Sequence, residues 1–270
     1  MSTVVSSNRG VGELLRDWRQ RRRRSQLDLA LEAEVSARHL SFVETGRSRP
    51  SRELLLHLAE HLGVPLRERN ALLLAAGYAP SYAEHTFDDD VMTPVRDAVD
   101  KVLAGHEPFP AVVADGHWNL VAGNRAATRF MDGVSPELLA PPTNVLRFAL
   151  HPEGMAPQIT NLTEYSAHVM HRLFQQVALT QDRGLTELYD ELRGYPGVET
   201  TSPAVYAPES RVFTTLRLRP PPEVGGPELS FFSTIATFGT YADITAAELV
   251  IESFFPADPV TEQALRTMSP

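Results

Sequence analysis

Residues 25–46, SQLDLALEAEVSARHLSFVETG, constrain the fold more than any other segment. Ser25 and Ser36 each precede a short stretch with helical apolar spacing, and serine is a preferred N-cap because its hydroxyl accepts a hydrogen bond from a free backbone N–H. Asp28 stands three residues after Ser25, in the position of the acidic member of a capping box. We expect the first helix to bury apolar side chains among Leu27, Leu29 and Leu31 or their neighbours.

The second helix has two apolar side chains, Leu40 and Val43, at the i, i+3 spacing that places both on one face, and it is expected to end at Gly46. Two short capped helices joined by about three residues are typical of a helix-turn-helix, whose second helix enters the DNA major groove. The outward side chains of this helix are predicted to be Ala37, Arg38, His39, Ser41 and Phe42.

Flanking segments complete a predicted five-helix unit. VGELLRDWRQRRRR precedes the two helices, RELLLHLAEHLGV follows them behind Ser51, and a last helix is expected from about Pro65 to Ala76. Over residues 10–78 the chain resembles the Cro/repressor-type regulators, also called the xenobiotic-response-element family. The segments SQLDLA, SARHLSFVETGRSRPS and LAEHLGV carry this resemblance.

The resemblance implies double-stranded DNA as a partner. It assigns a phosphate contact to Gln26, and it makes Glu44 a buried acid paired with Arg19. Ala37 departs from the polar base-reading residue of many members, so direct readout is expected from Arg38 and His39. The full set of predicted DNA-binding residues is Gln26, Ser36, Ala37, Arg38, His39, Ser41, Phe42, Arg47 and Arg49.

The charge distribution agrees with a DNA-binding N-terminal region, although the whole chain carries −9. Residues 1–80 contain 13 Arg and 9 acidic residues, a net +4, and the remaining 12 basic and 25 acidic residues give −13. Only the first part favours phosphates. The run Arg21 to Arg24 has two interpretations, a solvated helix end favoured by the helix dipole or a set of phosphate contacts.

A chain of 270 residues that is 43% hydrophobic is long enough for two domains. The acidic, Pro- and Ser-containing segment YAPSYAEHTFDDDVMTP is typical of a linker. We expect a DNA-binding domain over 1–80, a linker over 81–95 and a second domain over 96–270. The chain has no apolar run long enough to span a bilayer, no secretory signal and no cysteine, so we expect no membrane insertion and a cytoplasmic location.

The second domain is predicted to be α+β. Asp115 and Gly116 lie between two short apolar runs, Ala111 to Ala114 and Trp118 to Ala122, which predicts a β-hairpin. Predicted helices follow at Asn124 to Met131, Asn144 to Leu150, Gln158 to Leu179 and Thr186 to Leu192. Predicted strands then cover Arg211 to Arg219 and Glu228 to Phe238. The periodicity of the segment ELVIESFFP fits both a helix and a strand, and Pro256 and the β-favouring residues favour a strand.

Residues 109–268 resemble the MmyB-like ligand-binding domain through PAVVADGHWNLVAGNRAA, TNVLRFALHPEG, ELSFFSTIATFG and ELVIESFFPAD. The resemblance implies a PAS-like fold and an apolar effector of fatty-acid type. The apolar and aromatic residues expected to line its cavity are Trp118, Leu120, Phe130, Leu146, Phe148, Phe174, Leu216, Phe232 and Ile235. Each of these alone is more commonly ordinary core, because protein interiors are normally filled. A carboxylate effector would need a buried partner, for which Asn124, Arg125 and Arg147 are candidates.

An enzymatic function is not expected. His57 and His61, and His168 and His171, have spacings that could place two imidazoles on one metal ion, but no third ligand is evident. No nucleophile elbow or phosphate-binding glycine loop is present, so neither a metal nor a cofactor is expected. The sequence therefore predicts an effector-responsive bacterial transcription regulator acting as a homodimer. The alternatives are a protein-interaction module and a DNA-binding protein with a ligand-free dimerisation domain.

Overall fold

The computed structural model describes residues 9–131, 134–200, 214–220, 225–239 and 243–268. Contacts divide the chain into two compact units. The first comprises Met1–Glu84 with Thr240–Ile244, and the second comprises His85–Gly239 with Thr245–Pro270. The architecture is α+β, with a helical N-terminal region followed by a domain built on an antiparallel sheet.

Five helices form the N-terminal unit: α1 (Val11–Arg21), α2 (Gln26–Glu32), α3 (Ala37–Glu44), α4 (Arg52–His61) and α5 (Leu66–Ala75). Ser25 and Asp28 complete a reciprocal capping box at α2, and Ser36 and Ser51 cap α3 and α4. The caps therefore lie at the serines that the sequence indicated. All five helices contribute buried side chains, and each helix contacts at least one other; the buried residues include Leu15, Trp18, Leu29, Leu40, Leu58 and Leu73.

The apolar face of α2 differs from the expectation. Leu29 is fully buried beside Ala30, whereas Leu27 and Leu31 are 59% and 70% exposed. Leu27 and Leu31 are four residues apart and share one face, and Leu29 lies on the opposite side of the helix. A seven-residue helix that contacts α3 and α4 on one side buries only that side.

Close packing of α1 against the end of α3 depends on Gly12. A Cβ added to Gly12 would lie 2.3 Å from the Val43 carbonyl oxygen, a distance that no real Cβ contact permits. The absence of a side chain lets the helices approach closely. This approach places the buried end of α3 beside α1.

The second unit contains α6 (Thr93–His106), α7 (Arg125–Thr128), α8 (Val145–Leu150), α9 (Leu162–Thr180), α10 (Arg183–Leu192), all but the first residue of the short helix Ile244–Glu248, and the last helix Pro259–Met268. Its strands are β1 (Ala111–Ala114), β2 (Leu120–Gly123), β3 (Leu216–Leu218), β4 (Leu229–Thr237) and β5 (Val250–Pro256). They form one sheet in the order β2-β1-β5-β4-β3, with every neighbouring pair antiparallel.

Side chains alternate between the two faces of this sheet. Ala111 and Val113 on β1 pack with Ile251 and the α6 residue Val99 on one face. Val112, between them, points to the opposite face, which α8 and α9 cover. The sheet is therefore buried on both sides around β1 and β5.

Several sequence-predicted boundaries change. The hairpin loop spans Asp115 to Asn119. The Asp115 N–H donates to the Asn119 carbonyl oxygen at 2.9 Å, and the Asn119 N–H donates to the Asp115 side chain at 2.9 Å. Trp118 lies in this loop with φ 65° rather than in a strand. The predicted helix Asn124 to Met131 is divided into α7 and a 3-10 turn, Arg129–Met131. The first residues of the predicted strand Arg211 to Arg219 lie outside the described part of the chain, and β3 covers Leu216–Leu218. The helix Pro259–Met268 had no prediction.

Candidate functional site

The exposed face of α3 is the candidate DNA-reading surface. Its inner face buries Leu40, Val43 and Glu44, and the Ser36 hydroxyl accepts a hydrogen bond from the His39 backbone N–H at 3.4 Å. The residues predicted to point outward are all at least partly exposed: Ala37, Arg38, His39, Ser41 and Phe42. The helix therefore presents one continuous polar and aromatic strip to solvent.

Two arginines of this surface have no ionic partner within the described residues. Arg38 is exposed, and its guanidinium carbon lies 5.4 Å from the centre of the Phe42 ring, a cation–π contact along one helix turn. Arg47 is exposed after the end of α3. Both guanidinium groups retain their hydrogen-bond donors for a ligand.

Gln26 has a different environment from the one expected for a phosphate contact. Its side-chain Nε2 donates a hydrogen bond of 2.7 Å to Glu44 Oε2, so the amide points towards the buried acid. A glutamine amide has two N–H donors, and one of these is used here. Any phosphate contact by this side chain therefore depends on the second donor.

Arg49 is used within the fold. Its Nε and Nη2 donate to the Ala76 carbonyl oxygen at 3.1 and 2.6 Å, and its guanidinium stacks on the Tyr78 ring at 5.2 Å. These contacts hold the loop behind α3 against the C-terminal end of α5. Arg49 therefore has structural contacts, although it is one of the predicted DNA-binding residues.

The arginine run after α1 has mixed roles. Arg22 donates to the Leu62 and Gly63 carbonyl oxygens at 2.7 Å, which caps the end of α4, and burial lowers its pKa. Arg21 lies over the Trp18 ring, and Arg24 forms an ion pair with Glu32. Much of the run thus has structural contacts, and neither of the two sequence interpretations describes it fully.

The C-terminal unit contains an apolar cavity of about 90 Å³. It lies between the sheet and helices α7, α8 and α9. Four residues expected to line a cavity do so: Phe130, Leu146, Phe148 and Leu216. Sequence reasoning missed the other lining residues, Pro110, Val112, Ala127, Met131, Val145, Ala149, Met155, Ile159, Tyr165, Leu218, Phe231, Glu252 and Phe254.

The strand residues show why the lining was partly missed. Phe231 faces the cavity and is 1% exposed, whereas Phe232 points to the other face and stacks on Phe255 with ring centres 5.2 Å apart. A one-residue shift along a strand reverses the face. Ile235 shares the cavity face but lies beyond the cavity and is 42% exposed, so neither Phe232 nor Ile235 lines it.

Three other predicted apolar residues also lie outside the cavity. Trp118 is buried in the core beside α9, and its Nε1 donates to Gln176 Oε1 at 2.7 Å. Leu120 lies on the edge strand β2, and Phe174 is 50% exposed against Tyr189. The apolar character of these residues was clear from the sequence, but the element face that each one occupies was not.

The three residues predicted to bind a ligand carboxylate are either hydrogen-bonded within the protein or exposed. Arg147 forms a bidentate contact with Glu191, with its Nε and Nη2 at 2.8 and 2.7 Å from the two carboxylate oxygens. Asn124 caps α7 and accepts hydrogen bonds from the Ala111 and Ala127 backbone N–H groups. Arg125 is exposed on α7. None of the three lines the cavity.

The cavity has one polar end. Within the described residues, Tyr165 and Glu252 are the two lining residues with oxygen in their side chains, and Glu252 is 8% exposed. Burial, reinforced by the charge of Glu252, raises the pKa of the Tyr165 phenol well above its usual range, which keeps it protonated. Nearby on α9, burial and the charge of Arg172 lower the pKa of His168.

The described residues contain no group of three or more His, Asp or Glu side chains placed to hold a metal ion. His57 and His61 stack edge to face at 4.6 Å, and the His57 ring bonds the Ala33 carbonyl oxygen. In the same part of the chain, no helix combines the length and apolar character required to cross a membrane.

Comparison with known families agrees with this division of the molecule. Residues 11–72 match a family described as helix-turn-helix domain, and residues 95–268 match the family described as MmyB-like transcription regulator ligand binding domain. No curated protein matches the chain. Both matched families are regulatory domains rather than enzymes. The second match covers more than half of the chain. The chain therefore belongs to the MmyB-like transcription regulators, with an N-terminal DNA-binding domain and a C-terminal ligand-binding domain.

Proposed function

We propose that the protein binds double-stranded DNA as a homodimer, with α3 of each copy in the major groove. The supporting observation is the exposed face of α3, where Arg38 extends beside Phe42 without an ionic partner among the described residues. Ser36, Ala37, His39 and Ser41 would contact bases or backbone next to it. Arg47 would bind phosphate, and Gln26 would do so through its second amide donor.

The dimer is proposed because one eight-residue helix reads only a few base pairs, and helix-turn-helix proteins reach specificity by pairing half-sites one helical turn apart. Measurement of the protein's mass in solution, alone and with duplex DNA, tests the dimer.

A DNA target also supports a cytoplasmic location. We propose the Cro/repressor-type description for the first domain and the PAS-like description for the second, which its five-stranded antiparallel sheet supports.

Selection of binding sites from random duplexes tests the role of Arg38. Arginine makes a bidentate contact with guanine, so Arg38→Ala is expected to cost about 1–3 kcal/mol and to relax one base position per half-site. Arg47→Ala is the matched control, because loss of a phosphate contact weakens binding on all sequences alike. If Arg38→Ala also weakened binding uniformly, Arg38 would be a phosphate contact instead.

We propose that the cavity of the C-terminal domain is the effector site and that its occupant is apolar. The supporting observation is the lining, where Tyr165 and Glu252 are the only described residues that bring side-chain oxygen to an otherwise apolar surface. Ligand sites in proteins are commonly of this type, mostly apolar with a few placed polar groups. The competing hypothesis, a ligand-free dimerisation platform, gives no role to an apolar cavity of this kind.

The fatty-acid-like effector implied by the resemblance remains our proposal for the ligand class, with a limit on its length. The cavity of about 90 Å³ is smaller than the cavity of about 150 Å³ known to accept benzene, so it holds only a short chain as it stands. Phe130 and Leu218 also line a second cavity of about 370 Å³, which contains Arg129. A longer chain would extend past these two side chains, and its carboxylate would lie near Arg129.

Titration of the full chain with fatty acids of increasing length tests this effector. Each methylene removed from water contributes about 0.8 kcal/mol, or roughly fourfold in affinity, until the available space is filled. Ala149→Phe should abolish binding by filling the cavity, whereas Phe232→Ala, on the other face of β4, should leave it unchanged. The absence of saturable binding at every length would favour the ligand-free platform.

A further inference from the structure

The polar end of the cavity indicates which chemical group an effector presents there. Glu252 lies on β5 opposite Val112 of β1, and Tyr165 lies on α9, which covers this face of the sheet. A carboxylate that is 8% exposed is costly unless its oxygens are paired. The hydrogen-bond partners of the two Glu252 oxygens therefore show which donor a ligand would have to supply.

One oxygen of Glu252 is paired within the protein. Oε1 accepts a hydrogen bond of 2.9 Å from the Ser233 hydroxyl, and the Arg172 Nη1 lies 3.5 Å from the same oxygen. Arg172 is itself held over the Trp118 ring, with its guanidinium carbon 4.6 Å from the ring centre. The charge of Glu252 is thus balanced by a contact to Oε1.

The second oxygen, Oε2, accepts no hydrogen bond from any described residue, and the Tyr165 hydroxyl likewise makes none. Every fully enclosed side-chain nitrogen or oxygen within the described residues has a partner. Both atoms must therefore reach open space, and both residues line the cavity. The cavity end has one acceptor without a donor beside a phenol that can donate or accept.

The charges near this end exclude two common head groups. A carboxylate would be placed against the carboxylate of Glu252. An ammonium would add a cation where Arg172 already balances Glu252, and it would lose its hydration in an apolar space. A neutral hydroxyl donates one hydrogen bond and accepts another, which matches the two unpaired atoms.

We propose that this end of the cavity binds an aliphatic hydroxyl group. The effector would carry this hydroxyl on the part of its apolar chain that lies in the cavity. The hydroxyl donates to Glu252 Oε2 and accepts from the Tyr165 hydroxyl. This inference rests on the proposed effector site and specifies its ligand chemistry. It is compatible with a second polar group near Arg129 in a longer ligand.

Isomeric ligands test the proposal on the full chain. Butan-1-ol and methyl propyl ether have the same atoms and a similar size, but only the alcohol donates a hydrogen bond. Binding measured by NMR titration should favour the alcohol by about tenfold or more, because a hydrogen bond to a charged group is lost with the ether. Butanoate and butylammonium should bind more weakly than the alcohol.

Variants assign the preference to the two residues. Glu252→Gln and Tyr165→Phe should each reduce the alcohol-to-ether ratio, and Ser233→Ala, which removes only a partner of Oε1, should retain it. Equal binding of both isomers to the wild-type chain, or tightest binding of butanoate or butylammonium, would overturn the hydroxyl proposal while the effector site stands. If neither isomer and no fatty acid binds, the effector site itself is wrong.

Discussion

Glu44 connects the core of the N-terminal unit to its candidate DNA surface. Its carboxylate accepts hydrogen bonds from Arg19 Nε and Nη2 at 2.7 and 2.8 Å and from Gln26 at 2.7 Å, and its side chain is 1% exposed. The hydrogen bond to Glu44, opposed by burial, raises the pKa of Arg19. One buried acid therefore joins α1, the start of α2 and the end of α3.

Removal of either member of this pair is expected to destabilise the protein strongly. Arg19→Ala or Glu44→Ala leaves the other charge buried without its partner, at a cost of about 3–5 kcal/mol. Thermal and urea unfolding measure this. Glu32→Ala is the control, because its pair with Arg24 is exposed and contributes about 1 kcal/mol or less. Melting temperatures equal to wild type in both core variants would contradict the assignment.

A partly exposed ion pair joins α8 and α10 of the C-terminal unit, in contrast to the buried pair of Arg19 and Glu44. Arg147 on α8 and Glu191 on α10 form a bidentate contact, and Tyr195 also donates to Glu191. The Arg147 hydrogen bond, together with that of Tyr195, holds the pKa of Glu191 below the usual 4.5. Both charged side chains are more than a third exposed, so solvent weakens the contact.

The contact predicts a pH dependence of stability. Because the folded-state pKa of Glu191 is lowered, its contribution is present above pH 4.5 and is lost as the pH falls through the lower folded-state value. Arg147→Gln should lower stability by about 1 kcal/mol or less at pH 7, and its difference from wild type should shrink below pH 4.5. Arg183→Gln, in the more exposed pair with Glu187, should show a smaller effect. A difference that grew in acid would contradict this prediction.

Over the whole molecule, the N-terminal region has a net positive charge and the remainder has a net negative charge. Residues 1–80 carry +4 in a chain of net −9, so the acidic remainder does not attract phosphates. DNA binding by such a protein depends on a local basic surface. It should therefore weaken linearly in the logarithm of the salt concentration, with a slope of about −0.9 per phosphate neutralised.

The salt slope provides a test of the DNA-binding side. Arg47→Ala should reduce it by about 1, because one phosphate contact is removed. Lys101→Ala changes the net charge equally but lies exposed on α6 in the other unit, so it should leave the slope unchanged. Affinity measured by fluorescence anisotropy over a range of salt decides between them. An unchanged slope in Arg47→Ala would place Arg47 away from the phosphates.

Local signals in the sequence were sufficient for much of the architecture. Ser25, Asp28 and Ser36 define α2 and α3 through hydrogen bonds that span only three residues. β-favouring residues likewise predicted β5, where Pro256 decided for a strand although the periodicity also fitted a helix. The family resemblance pointed to the pairing of Arg19 with Glu44 and to the division into DNA-binding and ligand-binding parts.

The tertiary structure decided what depends on contacts between distant elements. The sequence showed that α2 and β4 are apolar, but only packing decided that Leu29 is buried while Leu31 is exposed, and that Phe231 rather than Phe232 faces the cavity. A helix face and a strand register reverse within one or two residues, which is finer than periodicity resolves. Glu252 lines the cavity because β5 pairs with β1 and β4 in a register that places it opposite Val112 and Ile235. No local sequence pattern encodes this pairing.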